Sequence, residues 1–130
     1  MTIIDVKTHS KEEFLDITAE VRDKIHALDI KKGICWVYVP HTTAGVTINE
    51  NADPSVKADI LMTLRKIVPE TLPYSHSEGN SPSHVKASLI GSSVTIIIED
   101  GQLSLGTWQG IFFCEFDGPR NRRVYIKAFT

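Results

Sequence analysis

The chain has only two cysteines, Cys35 and Cys114, and no C-x-x-C pair. That argues against a disulfide scaffold and against a thiolate zinc site. Two reduced thiols inside apolar, strand-like runs fit a cytoplasmic protein. Basic residues are not in excess: 14 Lys and Arg stand against 16 Asp and Glu, so the cationic surplus of a nucleic-acid binder is missing. No run approaches the roughly 18 apolar residues of a membrane span. The opening M-T-I-I-D-V-K lacks the basic and apolar regions of a secretory leader. Internal repeats, low-complexity tracts and linkers are absent as well. With 130 residues, 42% of them hydrophobic, the chain makes one domain around one core.

What is present reads as alternating strands and helices. Residues 3–8 alternate enough to form a strand. The next segment has two readings. Ser10 with Glu13 resembles a capping box, and Phe14, Ile17, Val21, Ile25 and Leu28 follow helical spacing. Residues 13–17 equally suit a second strand, with Thr18 capping a shorter helix that ends near Leu28. Residues 34–39, I-C-W-V-Y-V, form the clearest early strand, and residues 46–50 a shorter one. Asp53 and Pro54 then open a helix whose stripe is Val56, Ile60, Leu64 and Ile67, stopped by Pro69. Ser81 as cap and Pro82 at the first position start another helix, with an apolar stripe of Val85, Leu89 and Ile90 and with Gly91 past its end.

Residues 93–98, S-V-T-I-I-I, read as a strand buried on both faces. Asp100-Gly101 marks a turn. A long strand within residues 107–116 places Ile111 and Phe113 on one side and Phe112, Cys114 and Phe116 on the other. Asp117-Gly118-Pro119-Arg120 turns the chain into a last strand at residues 123–129. Six to eight strands and about three helices give an α+β domain, its mainly antiparallel sheet curled into a sandwich or partial barrel.

The residues able to carry chemistry lie in turns and at one helix start. His41, His76 and His84 are three imidazoles in such places, and with an open fourth position they would suit zinc or a similar divalent metal. Their spacing matches no metal signature, and a histidine in a turn is more often hydrogen-bonded or exposed. Thr42, Thr43 and Gly45 either cradle a phosphate or simply close a hydrogen-bonded turn. Asp53 is an N-cap, whereas Glu50 is free to act as a general base or to orient a histidine. Arg120, Arg122 and Arg123 can hold a phosphate, or stand as solvated charges near a strand start. The start of the helix at Ser81, with Asn80 and His84 beside it, suits an anionic group. Gln109 is a polar lining residue or a strand residue facing water.

Taken together and in order, these stretches resemble a known family. His41-Thr42-Thr43-Ala44-Gly45, Ile48-Asn49-Glu50-Asn51 and Asp53-Pro54 look like the first signature of the YjbQ family, otherwise labelled secondary thiamine-phosphate synthase. His76-Ser77-Glu78-Gly79-Asn80 with Ser83-His84-Val85 is similar to the second. Gly101-Gln102-Leu103, Leu105-Gly106-Thr107-Trp108-Gln109 and Asp117-Gly118-Pro119-Arg120 resemble the third.

The resemblance implies a small α+β subunit, a homotrimer, and histidines converging in a pocket near a subunit boundary. It also favours a strand over a helix at residues 13–17. The implied activity is thiamine-phosphate synthesis, joining hydroxymethylpyrimidine diphosphate to thiazole phosphate with loss of diphosphate, as a weak or secondary activity. On that reading His84, Asn80 and Glu50 are catalytic. Thr42, Thr43, Ser81, Gln109 and Arg120 bind the phosphorylated substrate, and His41, His76 and His84 hold a divalent metal, with magnesium possible alongside a diphosphate. Two alternatives need the same pocket: a metal-dependent hydrolase of a phosphate or other ester, and a non-catalytic module for a small anion or a metal. Neither a nucleic acid nor a membrane is expected as partner.

Overall fold

A computed structural model describes residues 1–130. Eight strands and three helices follow in the order β1 (Thr2–Lys7), β2 (Glu13–Asp16), α1 (Thr18–Leu28), β3 (Gly33–Tyr38), β4 (Ala44–Glu50), α2 (Pro54–Ile67), α3 (Ser81–Ile90), β5 (Ser93–Glu99), β6 (Gln102–Leu103), β7 (Gln109–Glu115) and β8 (Asn121–Phe129). They build two antiparallel sheets, one in the order β1-β8-β3-β5-β6 and one in the order β2-β7-β4. The sandwich expected from the sequence is there.

Alternation along the strands decides the layers. From the larger sheet Cys35, Val37, Ile96, Ile98, Val124 and Ile126 point inward. They meet Val46, Ile111 and Phe113 of the smaller sheet and Val21 and Ile25 of α1 in the main core. The other face of β7 carries Phe112 and Cys114, which join Phe14, Phe116, Leu64 of α2 and Ala87 of α3 in a second cluster. The smaller sheet is therefore the middle layer, with α2 and α3 behind it. β7 is buried on both faces, and the two-sided split of its side chains is as its sequence indicates.

Of the two readings of residues 13–17 the strand holds: residues 13–16 pair with β7, so the long helix is excluded. Glu13 still accepts hydrogen bonds from the backbone of His9 and Ser10, so the capping-box signature closes a turn before a strand. Four local expectations are corrected. Thr18 is not the cap of α1 but its first residue: the N-cap is Ile17, and Asp16 Oδ1, just before it, accepts from the backbone and hydroxyl of Thr18. β5 is buried on one face only: Ile96 and Ile98 face the core while Ile97 is 58% exposed, because nothing in the chain covers the outside of the larger sheet. The helices turn unexpected faces inward. α2 buries Leu64 but leaves Ile67 exposed, and α3 exposes Val85 and Leu89 while burying Ser83, Lys86 and Ala87. Lys86 is 2% exposed and reaches Glu12 at 2.7 Å, so an ion pair lies on the inward face of α3. The cap of α3 is Asn80 and not Ser81.

One end of the sandwich gathers three of the six crossings between the sheets. The chain passes between the sheets from β1 to β2, from β3 to β4 and from β7 to β8. The last of these pairs with each of the other two through backbone hydrogen bonds: Thr8 N–H donates to the Arg120 carbonyl and Phe116 N–H to the Thr43 carbonyl. The cavity described next lies at this end.

Candidate functional site

Glu115, the last residue of β7, is fully buried at that junction and anchors it. Its carboxylate accepts from the Thr8 hydroxyl at 2.7 Å, from Arg122 Nε at 2.9 Å, from Arg122 Nη2, and from the backbone of Phe116 and Asp117. Arg122 in turn donates from Nη2 to the Thr43 hydroxyl at 2.9 Å. One carboxylate and one guanidinium thus tie all three crossings together. Arg122 uses Nε and Nη2 in this way, and Nη1 donates to no protein group.

Above this pair opens a cavity of about 410 Å³, lined by Pro40, His41, Thr42, Thr43, His76, Glu78, Asn80, His84, Arg120 and Arg122. That volume lies in the range of small-molecule sites. His41 sits between β3 and β4, and its Nε2 accepts a hydrogen bond from the backbone of Arg123 at 2.9 Å. The ring proton therefore sits on Nδ1, as a donor. Burial, then the charge of Arg122, holds the His41 pKa below its usual value. His76 and His84 meet edge to face with ring centroids 5.3 Å apart, and His76 Nε2 stands 3.9 Å from Glu78.

On the third wall Asp117 fixes two neighbours. It accepts from Asn80 Nδ2 at 3.0 Å and from Arg120 Nη2 at 3.0 Å. Burial alone would raise its pKa, but the hydrogen bonds from Asn80 and Arg120 and the nearby cations outweigh that, and its carboxyl is held below the usual range. The Asn80 side chain makes no capping bond to α3. Its Oδ1 is buried and has no donor.

The cavity brings together His41, Thr42, Thr43, His76, Asn80, His84 and Arg120 of the residues singled out in the sequence. Glu50, Ser81 and Gln109 are not brought to it. Glu50 and Gln109 are register partners at the far end of β4, roughly 20 Å along the strand from Ala44. Gln109 uses its Oε1 on the backbone of Gly106. Gly45 is no phosphate cradle: a Cβ there would lie 2.6 Å from the carbonyl oxygen of Gly91, so close packing of β4 on that loop explains the glycine.

The three histidines line one cavity, with His76 and His84 in ring contact and His41 held separately by Arg123. No group of three or more His, Cys, Asp or Glu side chains is arranged to hold an ion. His41 directs its Nε2 at a backbone donor, and Arg120 and Arg122 place positive charge in the same wall. As these side chains stand, they assemble no zinc or magnesium site.

The sequence reasoning missed Glu115 and underused Arg122. Both were legible by strand parity. Arg122 shares its face with Val124 and Ile126, and Glu115 with Ile111 and Phe113, so each continues an inward-facing series to the end of its strand.

Fold and cavity define a class: a small α+β sandwich with a cationic, histidine-lined pocket where its sheets exchange chain. The chain belongs to the YjbQ family, matching the family model for UPF0047 protein YjbQ-like over residues 2–130. UPF0047 protein MJ1081 of Methanocaldococcus jannaschii is 57% identical over 122 residues, 94% of this chain and 88% of that protein. Among solved structures, an uncharacterized conserved YjbQ/UPF0047 protein from Clostridium acetobutylicum superposes with a TM-score of 0.97 at 52% identity, covering 99% of this chain and 100% of the other. A YbjQ-like protein of unknown function from Sulfolobus solfataricus P2 gives 0.94 at 32% identity, covering 98% and 94%.

These relatives correct the functional expectation. They carry family names without an activity, and nothing among them points to thiamine-phosphate synthesis. The site agrees with the correction, since Glu50 lies outside the cavity and no carboxylate cluster stands ready for a magnesium diphosphate. The same placement of Glu50 removes the base of the metal-dependent hydrolase reading. The membrane expectation has one relevant finding: no helix is long and apolar enough to cross a bilayer.

Proposed function

We propose that the cavity binds the phosphate group of a small phosphorylated molecule. The observation that carries this reading is the donor set. Five of the ten lining residues are histidine or arginine and only one, Glu78, is acidic. Arg122 Nη1, the Arg120 guanidinium and His41 Nδ1–H are donors suited to phosphate oxygens. Arg122 is preorganised by Glu115, so little conformational entropy is lost when it binds. His76 and His84 complete the wall with imidazoles that can donate or accept. Two buried, unpaired cysteines support a cytoplasmic setting.

Calorimetric titration with inorganic phosphate at fixed ionic strength tests the proposal. The wild type is expected to bind, and Arg120→Ala and His84→Ala to bind about fivefold to tenfold more weakly, since each removes a partly exposed donor. No heat with the wild type, or equal affinity in all three proteins, would overturn it.

We also propose the homotrimer as the assembled form. Its support is the uncovered apolar surface: Ile34, Trp36, Tyr38, Ile97 and Phe129 on the outside of the larger sheet, and Met62, Ile67, Val85 and Leu89 on the helices.

A further inference from the structure

We infer that residues 69–79, the segment between α2 and α3, form a lid that closes over the bound phosphate and is held shut by it through His76. The inference rests on the phosphate reading above and assigns the moving part of that site.

The first observation is that both ends of the segment are fixed and nothing between them is. At one end Val68 is buried, and its N–H donates to the Leu64 carbonyl to close α2. At the other end Asn80 Nδ2 donates to Asp117 at 3.0 Å. Between these anchors no hydrogen bond, from backbone or side chain, reaches the rest of the chain. The two that form are internal: the Tyr74 N–H donates to the Leu72 carbonyl and the Tyr74 hydroxyl to that of Pro69. The ion pair of His76 with Glu78, at 3.9 Å, is internal too. No residue of the segment is buried, and only Pro69 and Tyr74 are half-buried. Little buried surface and no hydrogen bond to the body are the marks of a segment that opens easily.

The second observation is Gly79. Its φ is +77°, in the left-handed region, and a Cβ there would meet nothing within 4 Å. Backbone conformation, not crowding, therefore calls for the glycine. It stands directly before the anchored Asn80, where a change in its dihedrals swings the segment as a hinge does.

What the segment carries is the third observation. His76 and Glu78 line the cavity from the segment, while the other lining residues belong to the anchored body. His76 meets His84 edge to face, with centroids 5.3 Å apart, and makes no hydrogen bond to the body. An anion held by Arg120, Arg122 and His84 supplies the acceptor that the His76 ring lacks, and that bond exists only with the segment closed. A ligand that gains a contact in one form alone shifts the population toward that form. Closure then excludes water from the anion and strengthens its other hydrogen bonds.

Hydrogen exchange read by mass spectrometry tests the lid, on the full chain free and with saturating inorganic phosphate, beside calorimetry at the same ionic strength. In the free protein residues 70–79 are expected to exchange nearly as fast as an open chain. Phosphate should slow them by at least about fivefold and leave α1, which contributes nothing to the cavity, unchanged. His76→Ala should fold, because the side chain is exposed, and should still bind phosphate through the arginines, yet lose that slowing. Slow exchange in the free wild type would show the segment already held down and would overturn the lid. So would unchanged exchange while calorimetry shows phosphate bound, or equal slowing in His76→Ala; both of these leave the phosphate reading standing. No heat of binding with the wild type would remove the two together.

Discussion

His41 shows how one hydrogen bond sets the state of a residue. Its Nε2 accepts from the backbone of Arg123, so protonation of that nitrogen would break the bond. Burial disfavours the charged form first, and the positive charge of Arg122 adds to it. The folded pKa is thus below the ordinary value of 6.5, and between the two values the unfolded chain binds more protons. The contribution of His41 to stability is therefore intact above pH 6.5 and is lost as the pH falls from 6.5 through the depressed folded value. Following the ring Cε1–H by NMR should give a midpoint below 6.5. A midpoint at or above 6.5 would mean that burial and the charge of Arg122 do not disfavour the imidazolium. Bound phosphate should move the midpoint upward, because an anion beside Nδ1–H favours the imidazolium.

At the scale of elements, the crossings between sheets depend on a pair that contributes no apolar area. Glu115 and Arg122 are 0% and 5% exposed and join Thr8 before β2 to Thr43 before β4. Removing one partner strands the other charge without its counterion. Glu115→Ala is expected to cost about 3–5 kcal/mol in urea unfolding. A loss under about 1 kcal/mol would show that water already screens the pair. Strand parity made most of this architecture legible in the sequence. It separated the two faces of β7, and it ran through Glu115 and Arg122 to the cavity floor. Helical periodicity was less informative. The stripe Val85 and Leu89 is real, yet α3 turns Ser83, Lys86 and Ala87 inward because Glu12, seventy-four residues away, supplies an anion for Lys86. Such a pairing is set by tertiary packing and leaves no local mark. The site followed the same division. Residues in the turns next to the crossings were found, whereas Glu50 and Gln109 were misplaced because strand length carries them to the opposite end.

For the whole molecule, the question is what lies outside the larger sheet. Trp36 contacts Tyr38 and Phe129 at ring-centroid distances of 5.8 and 6.5 Å, and with Ile34 and Ile97 they form an apolar face that no element of the chain covers. Faces of this kind mark contact surfaces in stable proteins. If a second copy covers this one, a charge at its centre is costly only in the assembly: at a half-exposed site of a lone chain, substitution changes stability by about 0.5 kcal/mol or less. Light scattering behind size exclusion should then give three times the 14.5 kDa chain mass for the wild type and a smaller mass for Trp36→Glu. Thermal unfolding should separate the cases independently, since the midpoint of an assembly rises with protein concentration and that of a monomer does not. A wild type that elutes as one chain, with a concentration-independent midpoint, would remove the trimer. The apolar face would then be open to solvent in the working protein, and the phosphate site would have to be complete within a single chain.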